Sequence, residues 1–445
     1  MKRNLISRLN FLKLSMASLA SLPFISVAAR TDQKRPPVNP GSAPRTRVKV
    51  TERYPQYKGH MEHTPYHHWR MDEESGVRIK QLTSSPKMHH HIYPEAPIFT
   101  PDSRFFVYTR RDAPDEPISY WLCEMDRWYL RRLTSETPVR GPVIAPDGDY
   151  FYYLWEKEPH KSILIRKNLW SGEREELIEA DGVYDSYWLS IITPDGRYYC
   201  TSFVDNDGMA HIARFDLTDR SWKIIFSRPD IHNSHLQIEP GEGTDLLIQQ
   251  NRGGRLDKQL SKARTGPDGT TLFLIDINGE SYRPLPVGKP HTPDLQGHQC
   301  WVGKTGKILT TINGDRIVDE WRNYRLNYEI EIDGKKGNLI CISEKRDKVS
   351  VVAGGQYFDH IVCTPDGKYF ISDDLDGNIW MGLVRTGRYR RLCRSGSTIG
   401  GYQFTSEHPF FSPDGRYAFF NSTADGGYHI YVAAIPEEFL KSLET

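Results

Sequence analysis

This chain lacks an imbalance of charge. Lys and Arg number 58 against 57 Asp and Glu, a formal net charge of +1 over 445 residues. A protein that tracks phosphates carries a basic excess, so the balance argues against a nucleic-acid partner. Cysteine is sparse: Cys123, Cys200, Cys300, Cys341, Cys363 and Cys393 are scattered, with no CxxC spacing. That sets aside zinc-ribbon and thioredoxin-like sites and leaves buried thiols, with one disulfide still open to an exported chain. No Gly-x-Ser-x-Gly elbow occurs, so the serine nucleophile of an α/β-hydrolase has no place here. After residue 29 no run is apolar enough to span a membrane.

Aromatic and turn-forming residues are plentiful. Aromatics make up 12% of the chain, with Gly 35 and Pro 29 spread throughout. Many aromatics between frequent turn residues suit short strands better than long helices. The first 29 residues read as an export signal, which places the mature protein in the periplasm or outside the cell. Lys2, Arg3 and Arg8 precede an apolar stretch, and Ser26-Val27-Ala28 fits a small-x-small cleavage site. Residues 30–69 read as a linker and N-terminal extension rich first in Pro, Arg and Lys, then in His, Tyr and Trp. Residues 438–445 remain as a C-terminal tail.

Between them, residues 70–437 carry a repeat. Thr100-Pro101-Asp102-Ser103, Ala145-Pro146-Asp147-Gly148, Thr193-Pro194-Asp195-Gly196, Thr364-Pro365-Asp366-Gly367 and Ser412-Pro413-Asp414-Gly415 each lead into an aromatic-rich strand. Weaker copies stand at Glu239-Pro240-Gly241-Glu242 and Gly303-Lys304-Thr305-Gly306. Proline presets the first corner of such a turn, aspartate bonds back to the backbone, and glycine takes the left-handed position. Pro101, Pro146, Pro194 and Pro240 are spaced by 45, 48 and 46 residues, and Pro365 and Pro413 by 48. A period of roughly 40–50 residues with several short strands per unit is a propeller signature. Seven copies predict an all-β, seven-bladed β-propeller. Residues 77–83 read like a fourth strand with no unit before it, so they are expected to complete the blade begun at residues 402–433 and close the ring. The longer units, after Pro240 and around residues 313–335, hold insertions expected on one face.

The segments preceding the innermost strands enter the mouth of the ring, where propellers place function. Five of the seven carry histidine: His89-His90-His91, His232 and His235, His298, His360 and His408. Neutral imidazoles converging there, with an amide oxygen, suit a divalent metal. Tyr93, Tyr187 and Trp188 offer faces on which a sugar ring can stack.

Three segments carry a more specific likeness: Ser234-His235-Leu236-Gln237, Gly297-His298-Gln299-Cys300-Trp301, and Gly401-Tyr402-Gln403-Phe404-Thr405-Ser406-Glu407-His408-Pro409. With the repeat, they resemble the oligogalacturonate lyase family, relatives of the TolB-type propellers, over roughly residues 70–437. The resemblance implies a manganese-type divalent ion held by His298, Gln403 and His408, with Ser406 where the family motif Gln-x-x-His-Pro-His-Pro has a further histidine. It implies His235 as the base. The family's arginine falls on Met209, leaving His211 or Arg252 to substitute; with His90 and Tyr93 they form the expected substrate-binding set. The implied reaction is β-elimination in an anionic uronate oligosaccharide. His235 is then expected within about 10 Å of His298 and His408, because one substrate must bridge them. The alternative is a non-catalytic TolB-like propeller that binds or scaffolds in the periplasm.

Overall fold

The computed structural model describes residues 61–63, 69–84, 86–113, 115–183, 189–257, 262–264, 266, 268–313, 328–397 and 406–445. The expected export signal and most of the expected linker lie outside that set. Seven antiparallel sheets of four or five strands follow one another along the chain, each a blade. In chain order their inner strands are Met88–His91, Val139–Ile144, Ser190–Ile192, Gln237–Ile238, Leu295–Trp301, Ile361–Cys363 and Phe410–Phe411. This is the seven-bladed propeller that the turn spacing predicts.

The repeated turn works by a hydroxyl relay. Thr364 Oγ1 donates to Asp366 Oδ1 at 2.5 Å and accepts the Tyr369 N–H at 3.1 Å, while Asp366 Oδ1 accepts the Lys368 N–H at 2.9 Å. The Thr100, Thr193 and Ser412 copies repeat the same bonds. In the weaker copy at Pro240, the Glu239 carboxylate accepts the N–H groups of Gly241, Glu242 and Gly243 at 2.6, 2.8 and 3.0 Å. A longer side chain thus does there what aspartate does elsewhere. Residue 103 has φ 59° although it is serine, so the turn dictates the left-handed corner even without glycine.

Between blades 1 and 2 the core is aromatic. Tyr120 of blade 1 meets Phe151 and Tyr153 of blade 2 at ring distances of 5.5 and 6.3 Å, all three fully buried. All six cysteines are free. Closure is as expected: Ile79, Lys80 and Gln81 pair with Ala433, Val432 and Tyr431, so the N-terminal strand completes the blade of the C-terminal one. Outside it Arg70–Met71 adds a fifth strand, and Met61–His63 does the same for blade 1 by pairing with Tyr129–Arg132. The residues expected as a tail form a helix, Glu437–Glu444, whose Phe439 and Leu443 bury themselves in the blade 6–7 core. No helix among the described residues is long and apolar enough to cross a membrane.

Two hairpins are inserted, Arg255–Asp257 with Lys262–Arg264 in blade 4 and Ile330–Ile332 with Lys335–Gly337 in blade 5. Both occupy the connection from second to third strand. That connection stands on the face where the inner strands begin, so the two insertions share the mouth of the ring.

Candidate functional site

Five consecutive blades deliver histidines to the mouth. His235 precedes the inner strand of blade 4, His298 lies within that of blade 5, and His360 immediately precedes that of blade 6. His408 stands just ahead of the inner strand of blade 7, and His90 and His91 end that of blade 1. Local backbone distortions aim several of these rings. His235 and His408 have φ 41° and 45°, values costly for a residue with a side chain. Gly297 has φ 95° beside a bulge in the blade 5 pairing, which turns His298 out of the ladder.

The rings form a continuous arc. Centroids lie 6.2 Å apart for His235–His298, 4.0 Å for His298–His360, 3.8 Å for His360–His408 and 6.3 Å for His408–His90. Tyr93, on the loop after the blade 1 strand, stands inside the arc. Its ring is 5.2, 6.5, 6.0 and 5.0 Å from those of His235, His298, His360 and His408.

Each key imidazole is anchored through Nδ1. His235 Nδ1 donates to the Glu95 carboxylate at 3.0 Å, with Glu95 itself buried at 3% side-chain exposure. His298 Nδ1 faces the carbonyl and Oδ1 of Asp359, both at 3.1 Å. His360 Nδ1 lies 3.0 Å from both oxygens of Asp373. His408 Nδ1 donates to the Ser406 carbonyl at 3.0 Å. An Nδ1 proton held in this way leaves the lone pair on Nε2, the tautomer that binds metals or takes protons.

The electrostatics match. Burial, then the neighbouring His360, pushes His298 down to about 4. Burial and the surrounding imidazoles hold His408 well below the usual histidine value. Both are neutral at pH 7. Asp373 is raised by burial and by the charge of Asp359, and Glu407 by burial and by the charge of Asp373. The site therefore gathers the neutral imidazoles of His298 and His408 beside two carboxyl groups whose charge is disfavoured, an environment that a cation relieves. Among the described residues His408 Nε2, fully buried, meets no hydrogen-bond partner, and ligand atoms of His298, Asp359 and His360 lie within 4.8 Å of one another. A divalent ion fits this donor set.

Of the residues expected from sequence, His235, His298, His408, His90 and Tyr93 are brought together. Gln403, Tyr187 and Trp188 lie outside the described residues. His211 and Arg252 are not brought into the arc. His211 Nε2 and Nδ1 bond Asp205 and Ser227 at 3.0 and 2.8 Å, both within blade 3. Arg252 spends its guanidinium on the carbonyls of Lys289, Asp268 and Gly269, clamping the blade 4 loops. His211 stands on the third strand of blade 3 and Arg252 in the turn after the second strand of blade 4, and these bonds give them a structural occupation. Glu95 and Asp373 were not anticipated. Glu95 meets His235 only because blades 1 and 4 converge, whereas Asp373 ends the second strand of blade 6 and meets His360 across the pairing of that blade's first two strands.

No family model matches the chain. Sequence comparison finds an oligogalacturonate lyase of Dickeya dadantii (strain 3937), 20% identical over 419 residues, spanning 83% of this chain and 96% of that protein. An oligogalacturonide lyase of Pectobacterium atrosepticum is 22% identical over 400 residues, with the same coverage. Among solved structures, an oligogalacturonate lyase in complex with manganese superposes with TM-score 0.67 at 17% identity, covering 86% of this chain and 99% of that one. By sequence and fold together, the chain resembles the oligogalacturonate lyase family. An oligogalacturonate lyase from Vibrio parahaemolyticus superposes similarly, with TM-score 0.66 at 14% identity over 86% of this chain and all of that one.

Proposed function

We propose that this protein is a metal-dependent polysaccharide lyase that cleaves oligogalacturonides, or a related uronate oligosaccharide, by β-elimination. The observation that carries the reading is the arc of Nδ1-anchored histidines around Tyr93, with His235 at one end and His408 towards the other. His298, His408 and Gln403 would hold a divalent ion, Mn²⁺ by the likeness to the manganese-bound lyase. When bound, that ion supplies Lewis-acid neutralisation of the substrate carboxylate, which makes the C5 proton acidic enough to remove. His235 Nε2 takes the C5 proton, the C4–O4 bond breaks with its electron pair leaving on the departing sugar, and a C4=C5 double bond forms. Glu95 holds the Nδ1 proton of His235, so the lone pair stays on Nε2 and the imidazolium formed is stabilised. Tyr93 offers the face against which the reacting sugar ring is set, beside His90. The anionic substrate reaches this mouth in the periplasm or outside the cell, once the export signal is removed.

The test is incubation of the full chain with oligogalacturonate and Mn²⁺, with and without chelator. The expected result is a chelator-sensitive rise in ultraviolet absorbance from the conjugated product. No rise on any uronate oligosaccharide overturns the reading. A second reading, a non-catalytic uronate-binding propeller, is favoured by the structural occupation of both His211 and Arg252. It predicts saturable sugar binding by calorimetry with no absorbance change.

A further inference from the structure

Three of the six cysteines gather in one place. Cys123, Cys200 and Cys393 are fully buried and each lies in a different core cluster, the ordinary position of a thiol that packs as a small apolar side chain. Cys300, Cys341 and Cys363 instead share the core between blades 5 and 6, among Leu309, Phe358 and Phe370. Cys300 lies on the inner strand of blade 5 and Cys363 ends that of blade 6. Their sulfurs are 3.7 Å apart although the residues are 63 apart in sequence. Cys341 stands on the third strand of blade 5, in register with Cys300 through Leu309. That puts two strand spacings, about 10 Å, between the Cα atoms of Cys300 and Cys341, beyond the roughly 7 Å that a disulfide spans. Cys300 is therefore paired across the seam between blades, not within its own blade.

We propose that Cys300 and Cys363 form a disulfide site, which an oxidant closes into a covalent staple between blades 5 and 6. The two inner strands belong to separate sheets, so no backbone ladder joins them. Tying residue 300 to residue 363 restricts the unfolded chain between them and so stabilises the folded ring. Cys363 is half-buried and Cys300 is only 7% exposed, so an oxidant meets Cys363 first. The Cys363 sulfur attacks one sulfur of the oxidant, a small-molecule or protein disulfide, and a first thiolate leaves. The Cys300 sulfur then attacks Cys363 in this mixed disulfide, and a second thiolate leaves. Both cysteine protons pass to the departing thiolates, and the two electrons released by the pair reduce the oxidant to two thiols. Such oxidants prevail outside the cytosol, so the staple suits an exported chain. The bond is independent of what the mouth of the ring binds.

The test treats the full chain with oxidised glutathione, blocks the remaining thiols and digests the product without reductant for mass spectrometry. The expected result is the loss of two of the six thiols and a Cys300–Cys363 peptide pair that dithiothreitol separates. The melting midpoint of the oxidised chain is expected to stand above that of the reduced chain. That difference is expected to persist in Cys341→Ala and to vanish in Cys363→Ala. Mass spectrometry of the unaltered chain decides the pairing even where a variant fails to fold. Six free thiols after oxidation, glutathione left on Cys363 with no cross-link, or a pair that contains Cys341 overturns the site. A cross-link that leaves the melting midpoint unchanged overturns the stapling role.

Discussion

At the scale of the residue, the pairing of Glu95 with His235 decides what the candidate base can do. The carboxylate fixes the Nδ1 proton and leaves Nε2 as the acceptor. Glu95→Gln places an amide NH₂ group where the carboxylate stood, which favours the opposite tautomer and removes the lone pair from the reacting side. The expected loss is about 10²-fold in kcat with little change in KM, measured by the appearance of unsaturated product. An equal fall in kcat/KM through KM alone would show that Glu95 serves binding instead. His235 and His408 were readable from their place just ahead of an inner strand, and His298, His90 and Tyr93 from their place within or just after one. His211 and Arg252, named as stand-ins for an arginine, stand outside the arc. Their hydrogen-bond partners are near in sequence or in the same blade, so local structure claims them.

At the scale of the element, the turns and the inter-blade loops carry the stability. Gly415 and Gly367 take φ 68° and 69° in equivalent turns, but their surroundings differ. A Cβ on Gly415 would meet nothing within 4 Å, whereas one on Gly367 would lie 2.9 Å from both Val302 Cγ1 and the Val302 carbonyl. Gly415→Ala is expected to cost about 1 kcal/mol from backbone conformation alone, and Gly367→Ala distinctly more. Melting midpoints of the two variants check the order. A second element-scale effect comes from Glu136, in the loop between blades 1 and 2. Burial opposes its charge, but hydrogen bonds from Tyr153 Oη, Arg174 and the Ser135 N–H outweigh it and hold the carboxyl at about 2, against an ordinary 4.5. A depressed folded value means the stabilisation is full above about pH 4.5 and is lost as pH falls towards 2. Glu136→Gln is therefore expected to lower the denaturation midpoint at pH 7 and to make progressively less difference below pH 4.5, as chemical denaturation across that range will show.

At the scale of the whole molecule, the ring stands or falls on its closure. Ile79 is fully buried, and the strand around it hides two sheet edges by pairing with Ala433, Val432 and Tyr431. Removing the chain through residue 83 is expected to abolish the cooperative thermal transition and lead to aggregation, because the opened edges of blade 7 are templates for other chains. Removing it through residue 69 leaves that pairing intact and is expected to preserve a cooperative transition. Calorimetry of the two truncations separates these outcomes.

The sequence by itself determined the repeat, the blade count and the closing strand, because each follows from local turn chemistry recurring at a constant period. It also pointed to the histidines of five blades that meet at the mouth, since position at an inner strand is a local property. Only the tertiary structure decided who touches whom there. Glu95 is 140 residues from His235 in sequence, and Asp359 is 61 from His298. No periodicity links such partners; they meet because the ring bends successive blades around one axis, and burial at that axis then keeps His298 and His408 neutral and ready to bind.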